Sequence, residues 1–214
     1  MTPSERRSKN WIFCGLVAYF LVGYYGCQWV NAHRLETWVF FLPGEREIPF
    51  VPAAIIGYAL VYASILGIYC LLNDYPHFVR TARLTALVTS VHFLCFLLFP
   101  VRMERPPVQP ADVATLATGF FYAIDMPANA FPSLHVAYPF LVALVLWHYK
   151  RGWSWLFLLF TAIVMVSVVF VKQHYIVDTL AALVLTGIVY VIGWNESKTM
   201  CQVARRASRI LPNS

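Results

Sequence analysis

Long apolar blocks separated by short polar segments dominate the hydropathy pattern of the chain. Six blocks are predicted as helices, over about residues 11–30, 51–72, 84–101, 132–149, 154–171 and 174–194. Each block has about 18–22 residues, which at about 1.5 Å per residue suffices to cross roughly 30 Å of hydrocarbon. None has the period-two alternation of transmembrane strands. The predicted fold class is therefore all-α, a polytopic membrane protein with a six-transmembrane-helix bundle.

The polar segments between the blocks show no internal repeat or low-complexity tract. We therefore predict a single membrane domain over residues 1–214, with the catalytic motifs within 102–178 and a basic cytoplasmic tail at 195–214. The segment 111–124, which precedes the fourth block, is predicted as a short helix lying on the surface.

Composition agrees with a membrane protein. Hydrophobic residues make up 60% of the chain and charged residues only 12%, whereas a soluble domain has roughly 25% charged residues. The net charge of +6 could indicate nucleic acid, but Lys and Arg cluster at block ends, as membrane orientation requires. No nucleic-acid partner is therefore predicted. The five cysteines lack paired or metal-like spacing, so we interpret them as small buried apolar residues without a disulfide framework.

The distribution of basic residues predicts the orientation in the membrane. With six helices both termini share one side, and that side holds eleven of the 16 Lys and Arg residues. The other five are Arg34, Arg46, Arg102, Arg105 and Lys172. The positive-inside rule then places both termini in the cytoplasm. We expect an integral protein of the plasma or inner membrane whose active site, after the third and fifth helices, is extracytoplasmic.

The segment Lys172–Asp178, between the fifth and sixth blocks, holds the first candidate chemistry. His174 and Asp178 are four residues apart and would share one helix face. The carboxylate could accept a proton from one ring nitrogen and leave the other nitrogen free as a nucleophile or base. Lys172 adds a positive charge beside the pair. Taken alone, the segment is equally compatible with a helix cap and an incidental histidine.

A candidate anion site lies at the start of the fourth block, in the segment 129–135. Pro132 suits the first helical position. The amides of Ser133, Leu134 and His135 would then point out of the helix start, at the positive end of its dipole. The Ser133 hydroxyl adds another donor. The alternative for this stretch alone is an ordinary capped helix.

The predicted topology brings these segments to one membrane face. The fourth and fifth helices form a hairpin of equal arms, so His135 should be level with His174. The third helix delivers Arg102 and Arg105 to the same face. Polar groups of this kind are costly near hydrocarbon and usually functional.

Three other possibilities carry less weight. A zinc site of His135, His174 and Asp178 is opposed by the neighbouring Arg and Lys residues, so no metal is predicted. His92, in the middle of the third helix, is interpreted as a buried, hydrogen-bonded histidine. Asp125 could touch a head group but is interpreted as an ordinary loop residue.

Three patterns resemble the signature motifs of the type 2 phosphatidic acid phosphatase superfamily. They are Arg105-Pro106, Pro132-Ser133-Leu134-His135 and His174-x-x-x-Asp178. The resemblance covers about residues 50–195 and includes the order and helix positions of the motifs. It implies a phosphoryl-transfer enzyme that uses no metal or other cofactor and acts on a lipid phosphate among membrane lipids.

The resemblance also implies roles for individual residues. His174 attacks phosphorus and forms a phosphohistidine, oriented by Asp178. His135 protonates the leaving oxygen and then activates the acceptor water. Arg105, Ser133 and nearby amides, including that of Leu134, bind the phosphate oxygens.

The chain departs from the family pattern at three positions. Leu98 stands where the first motif has Lys, Leu134 where the second has Gly, and Val168 where the third has Arg. Arg102 and Lys172 are the candidates to supply the missing charges. The wording of the second and third motifs is closer to the inositolphosphorylceramide and sphingomyelin synthase branch, which transfers a head group to a lipid alcohol.

Three functions follow as hypotheses. The first is a lipid phosphatase that hydrolyses a lipid phosphate or diphosphate monoester at the extracytoplasmic face. The second is a phosphotransferase that moves a phosphoryl head group to a lipid alcohol. The third is a non-enzymatic transporter or structural protein with a degraded site. The lipid tail, the head group and the oligomeric state stay open at this point.

Overall fold

The computed structural model describes residues 1–210, with side chains described for residues 1–195. Helices account for 72% of the structure, and no strand is found in the described range, so the all-α prediction is confirmed. The helices are α1 (Pro3–Ala32), α2 (Ile55–Tyr58), α3 (Leu60–Leu71), α4 (Tyr75–Leu98), α5 (Val113–Ile124), α6 (Leu134–Leu146), α7 (Arg151–Phe170) and α8 (Ile176–Ile210). Short 3-10 turns cover Glu45–Glu47 and Pro52–Ala54.

Several of these helices are long and apolar enough to cross a membrane. Among the described residues there are 5 such segments: Pro3–Ala32, Pro52–Leu71, Tyr75–Leu98, Arg151–Phe170 and Ile176–Asn195. They mark the chain as a membrane protein and correspond to five of the six predicted spans. The remaining one, predicted over 132–149, is α6, which has only 13 residues.

Helix boundaries differ from the apolar blocks mainly at the N-terminal ends. α1 begins at Pro3 because Thr2 and Glu5 form a reciprocal capping box. α4 begins at Tyr75, well before residue 84, because Asp74 accepts a hydrogen bond from the His77 amide at 3.2 Å. Both helices thus start in polar sequence, which a hydropathy criterion does not detect.

α6 lies at the centre of the bundle. It packs against α3, α4, α7 and α8, and ten of its 13 residues are buried. The prediction that Pro132 occupies the first helical position is wrong, because Ser133 is the N-cap and α6 begins at Leu134. α6 ends at Leu146, and a turn at 147–149 leads into α7, which starts before the predicted residue 154.

Consecutive long helices run in opposite directions between two ends of the bundle. At one end, the Ser133 amide before α6 donates to the Asp178 carbonyl in α8 at 3.1 Å. At the other end, Lys9 Nζ donates to the Leu72 carbonyl at 2.8 Å, and the guanidinium of Arg80 donates to the Trp194 carbonyl. Lys9 and Arg80 therefore lie at the same end of the bundle. Both belong to the eleven basic residues that the sequence analysis assigns to one side of the membrane.

The segment between α4 and α6 covers the end where the two histidines lie. The predicted surface helix at 111–124 is observed as α5, whose N-cap Asp112 accepts from the Thr115 amide at 2.8 Å. α5 turns Val113 and Phe120 outward and packs its inner face on α2 and the 3-10 turn before it. This packing places the C-terminal end of α5 beside α6.

The cysteines and the C-terminal segment differ in part from expectation. Cys27 is buried and Cys95 half-buried, but Cys14 and Cys70 are exposed, and these four are free thiols. Cys201 lies beyond the described side chains. α8 continues to Ile210, into the predicted tail at 195–214, whose last four residues lie outside the described range.

Candidate active site

His135 and His174 meet at the end of the bundle where α6 and α8 begin. His135 is the second residue of α6, and His174 lies just before Ile176, the first residue of α8. Nδ1 of His135 is 3.0 Å from Nε2 of His174. The structure therefore brings together the two histidines that the sequence places 39 residues apart.

The hydrogen bonds around His174 determine its tautomer. Nδ1 lies 2.8 Å from the Ala130 carbonyl oxygen, which can only accept, so Nδ1 carries the proton and Nε2 the lone pair. Asp178 Oδ2 is farther from Nδ1, at 3.5 Å, and accepts from the Tyr175 amide at 2.8 Å. The Ala130 carbonyl thus fixes the tautomer, while the buried carboxyl group of Asp178 lies behind the ring.

His174 is buried, at 4% exposure, and lies in the loop between α7 and α8. Burial lowers the pKa of His174 to about 4, with the Arg105 charge acting in the same direction and Asp125 and the Ala130 carbonyl opposing it. The imidazole is therefore neutral near pH 7. Because His174 Nε2 accepts, His135 Nδ1 must be the donor in their shared hydrogen bond.

Asp125, at the C-cap of α5, lies next to His135. Its Oδ2 is 3.9 Å from His135 Nε2, and its Oδ1 accepts from the Tyr24 hydroxyl at 2.5 Å. The interpretation of Asp125 as an ordinary loop residue is wrong, because the side chain is buried and faces the histidine pair. No spacing rule marks this residue, since a turn of irregular backbone separates it from α6.

Arg105 lies beside Asp125 and His174. Its guanidinium donates to the Asp125 carbonyl at 2.5 Å and to Gln173 Oε1, and it lies over the Tyr122 ring at 4.5 Å. Arg105 and His174 line the same narrow cleft. Burial lowers the pKa of Arg105. Its Nε is buried without a hydrogen-bond partner among the described residues.

The other two predicted cations differ in position. Lys172, in a left-handed conformation with φ 52°, donates from Nζ to the Ile48 carbonyl at 2.7 Å. It borders a cavity beside His174, and burial lowers the pKa of Lys172. Arg102 is exposed and lines none of the cavities described next to the histidines, so the structure does not bring it into the group.

The start of α6 offers fewer donors than the sequence predicts. The Ser133 amide is used, since it donates to the Asp178 carbonyl. The Ser133 hydroxyl is fully buried and has no hydrogen-bond partner among the described residues. Leu134, in place of the family's glycine, lines the cavity next to His135.

Leu98 and Val168 stand where the motif resemblance predicts Lys and Arg, and they differ in burial. Leu98 is 58% exposed at the end of α4. Val168 is fully buried, and its carbonyl accepts from the amides of Gln173 and His174 at 2.8 and 3.2 Å. Val168 therefore shapes the loop that carries His174 through its backbone.

The two histidines adjoin different cavities. The cavity of about 270 Å³ beside His174 is the more polar of the two. Its walls combine charged groups, among them Glu45, Arg46, Glu104 and Lys172, with apolar side chains such as Phe50. A cavity of about 190 Å³ beside His135 is mainly apolar, with Tyr58 and Tyr138 among its walls. The site thus combines an unprotonated nitrogen, a proton-carrying imidazole and a buried guanidinium between a polar and an apolar compartment.

Among the described residues, no three or more His, Cys, Asp or Glu side chains are grouped so that they could hold a metal ion.

A family model described as the PAP2 superfamily matches residues 34–192, about three quarters of the chain. The match includes the predicted site residues and leaves out α1. Comparison with curated proteins and with solved structures finds no match.

Proposed function

The chain belongs to the PAP2 superfamily, whose members are phosphatases or phosphotransferases, and on that premise we propose that it is a membrane lipid phosphatase. Its substrate is a lipid phosphate or diphosphate monoester, and its intermediate is a phosphohistidine at His174. The contact between His174 Nε2 and His135 Nδ1 at 3.0 Å carries this proposal. A neutral nucleophile and a proton carrier are thereby placed on one reacting centre.

In the first step, His174 Nε2 forms a bond to phosphorus as the bond from phosphorus to the lipid oxygen breaks. His135, with a proton on each ring nitrogen, gives one of these protons to that leaving oxygen and becomes neutral. The phosphorylated ring of His174 carries a positive charge, which the Ala130 carbonyl and the Asp178 carboxylate stabilise at Nδ1. Asp125 is the counter-charge for His135 in its protonated form.

In the second step, water attacks phosphorus and the bond to His174 Nε2 breaks. His135 accepts the proton of the water and is ready for another cycle, and inorganic phosphate leaves. Two buried donors, Arg105 Nε and the Ser133 hydroxyl, lack partners among the described residues. Buried polar groups are normally hydrogen-bonded, which supports their assignment as ligands of the phosphate oxygens.

The histidine pair must open for the reaction. Phosphorus has to approach His174 Nε2 along the direction that His135 Nδ1 now occupies. His174 is held at Nδ1, whereas the His135 ring packs on Tyr58 at 4.6 Å and borders a cavity. His135 is therefore the ring that moves.

The proposed topology has six spans with the site on the extracytoplasmic side. α6 is short, but it runs between the same two ends as its neighbours, since Tyr149 beyond it contacts His77 at 4.0 Å between ring centroids. We assign α6 as the remaining membrane span, the fourth in chain order. The lysine and arginine bias supports cytoplasmic termini.

A phosphotransferase is the second candidate. The cavity of about 270 Å³ beside His174 has both carboxylates and cations on its walls. Such a cavity suits a polar head group that stays on phosphorus during transfer. The residues around His135 and His174 are closer to the motifs of the synthase branch, and this resemblance also favours a phosphotransferase.

Purified protein in detergent tests these functions directly. We expect phosphate release from a panel of lipid phosphates and diphosphates, undiminished by a chelator, inhibited by vanadate and absent in His174→Ala. A lipid alcohol added to the assay separates the candidates, because a transferase gives a labelled lipid product in place of phosphate. Absence of both products across the panel rejects both enzymatic functions and leaves a transporter or structural protein.

A further inference from the structure

α1 contributes to the surroundings of the site although the family match begins after it, at residue 34. Its residues Phe20, Leu21, Tyr24 and Tyr25 line the cavity beside His135. A second cavity, of about 440 Å³, lies farther along the same helix pair. The two cavities share five lining residues, Phe20, Leu21, Tyr62, Ile65 and Tyr138. Together they form one groove between α1 and α3, which we call the α1–α3 groove.

The α1–α3 groove changes in chemistry along its length. Its upper end, at His135, presents Asp125 and the tyrosines Tyr24, Tyr58 and Tyr62. Its lower end is lined almost entirely by apolar side chains, among them Phe13, Leu16, Val17, Leu66 and Ile68. This gradient matches an amphiphile whose polar end lies at the histidines and whose hydrocarbon lies below.

The lower end of the groove is closed. Phe13 of α1 contacts Tyr69 of α3 with ring centroids 4.9 Å apart, and the Tyr69 hydroxyl donates to Asn10 Oδ1 at 2.7 Å. From Tyr58 to Ile68 the chain advances ten residues, which is roughly 15 Å of helix. The groove therefore has a defined depth.

The side of the groove is open to the surrounding lipid. Leu21 and Leu66 on its rims are 44% and 56% exposed. A chain can therefore move in sideways from a bilayer without its hydrocarbon crossing the polar cavity next to His174.

From these observations we propose that the α1–α3 groove holds one hydrocarbon chain of the phosphate ester on which the histidines act. This inference rests on the proposed function and adds a location for the lipid. It places the lipid oxygen at His135, the proton donor, and leaves the polar cavity to the phosphate side of the substrate. A chain longer than the groove must bend out into the bilayer at Tyr69.

The test narrows the shared part of the groove with Ile65→Trp and compares butyl phosphate with hexadecyl phosphate. We expect KM for hexadecyl phosphate to rise about tenfold or more, while kcat/KM for butyl phosphate stays within about twofold, because only the long chain needs the filled volume. The matched control is Ile188→Trp, on the outer face of α8 at 52% exposure, which should leave both substrates unaffected. Equal effects of Ile65→Trp on both substrates would overturn the proposal.

A second measurement does not depend on turnover or on the fold of a variant. Wild-type protein is irradiated with an alkyl phosphate whose chain is no longer than the groove and carries a photoreactive group at its end, and the labelled peptides are mapped. We expect labelling on α1 near residues 13–17 and on α3 near 65–69. Labelling confined to α7 or α8 would place the chain elsewhere and reject the groove. If wild-type protein hydrolyses neither phosphate, the proposed function fails, and the photolabelling still decides the groove.

Discussion

At the scale of single residues, the two histidines differ in how firmly each is held. His174 is buried and its Nδ1 is bound by the Ala130 carbonyl. The His135 ring is paired with His174, packs on Tyr58 and lies 3.9 Å from Asp125, and it borders a cavity. The held ring is suited to form a bond to phosphorus, and the less constrained ring is suited to move a proton.

Alanine substitutions should separate these roles. His135→Ala should lose about 10²–10⁴-fold of the activity on a lipid alkyl phosphate. It should lose much less on an aryl phosphate, whose leaving oxygen needs little protonation. His174→Ala should be inactive on both and should lack the acid-labile phosphoramidate that wild-type protein forms. Mapping of that phosphoryl group to His135 would reverse the assignment.

Asp125 should behave as a positioning residue for His135. We expect Asp125→Asn to lose about tenfold or more on an alkyl phosphate and less on an aryl phosphate, the same leaving-group signature as His135→Ala. Tyr24→Phe, which removes the donor to Asp125 Oδ1, should show a weaker form of that signature. Asp112→Asn is the matched control, because Asp112 caps α5 at the surface. Equal losses on both substrates would indicate a structural role for Asp125.

The burial of His174 predicts the acid limb of the pH profile. Its pKa of about 4 lies below the ordinary value of about 6.5, so the attacking nitrogen stays unprotonated through pH 5–8. As the pH falls through the lowered pKa, protonation of Nε2 removes the nucleophile and kcat/KM should fall. The measurement uses a substrate that does not ionise between pH 5 and 8. If kcat/KM instead fell near pH 6.5, His174 would be less buried in the working enzyme.

The sequence predicts which residues form the site better than it predicts which atoms they contact. The i+4 spacing of His174 and Asp178 correctly predicts proximity, at 3.5 Å. It does not predict that the closer partner of Nδ1 is a backbone carbonyl, because carbonyls have no sequence signal. Asp125 could not be found either, since its approach to His135 depends on how α5 packs on α2.

At the scale of elements, close helix contacts depend on small residues. A Cβ added at Gly23 of α1 would lie 2.1 Å from the Phe93 ring of α4, whereas one at Gly26, on the same helix, would meet nothing within 4 Å. We expect Gly23→Ala to destabilise the protein by about 1–3 kcal/mol. Gly26→Ala should be neutral or stabilising by up to about 1 kcal/mol, as helix propensity dictates. Thermal unfolding in detergent measures both, and equal Tm values would show that α1 and α4 are not packed this way.

Helix identity was predictable from apolar blocks, but helix ends were not. α7 and the membrane part of α8 follow their blocks closely, since both are long and uniformly apolar. α6 departs because buried helices need not match the thickness of hydrocarbon. Pro132, Trp147 and Tyr149 carry no charge and lie just outside its ends, so the uncharged block is longer than the helix.

At the scale of the whole molecule, the orientation in the membrane determines which compartment the histidines face. In a variant with its own cysteines replaced, Glu104→Cys lies at the histidine end and Arg151→Cys at the opposite end. We expect a membrane-impermeant thiol reagent to label Glu104→Cys in intact cells and Arg151→Cys only after lysis. Labelling of Arg151→Cys alone from outside would invert the proposed topology.

The short, enclosed α6 also constrains how the protein can be made. A helix of 13 residues reaches only about 20 Å, so it cannot leave the translocon as a stable independent segment in a bilayer of about 30 Å. We therefore expect α6 to become stable in the membrane only once α7 and α8, which pack against it, have been made. Because His135 lies in the first turn of α6 and His174 precedes α8, we expect the histidine pair to form only after α8 has been made.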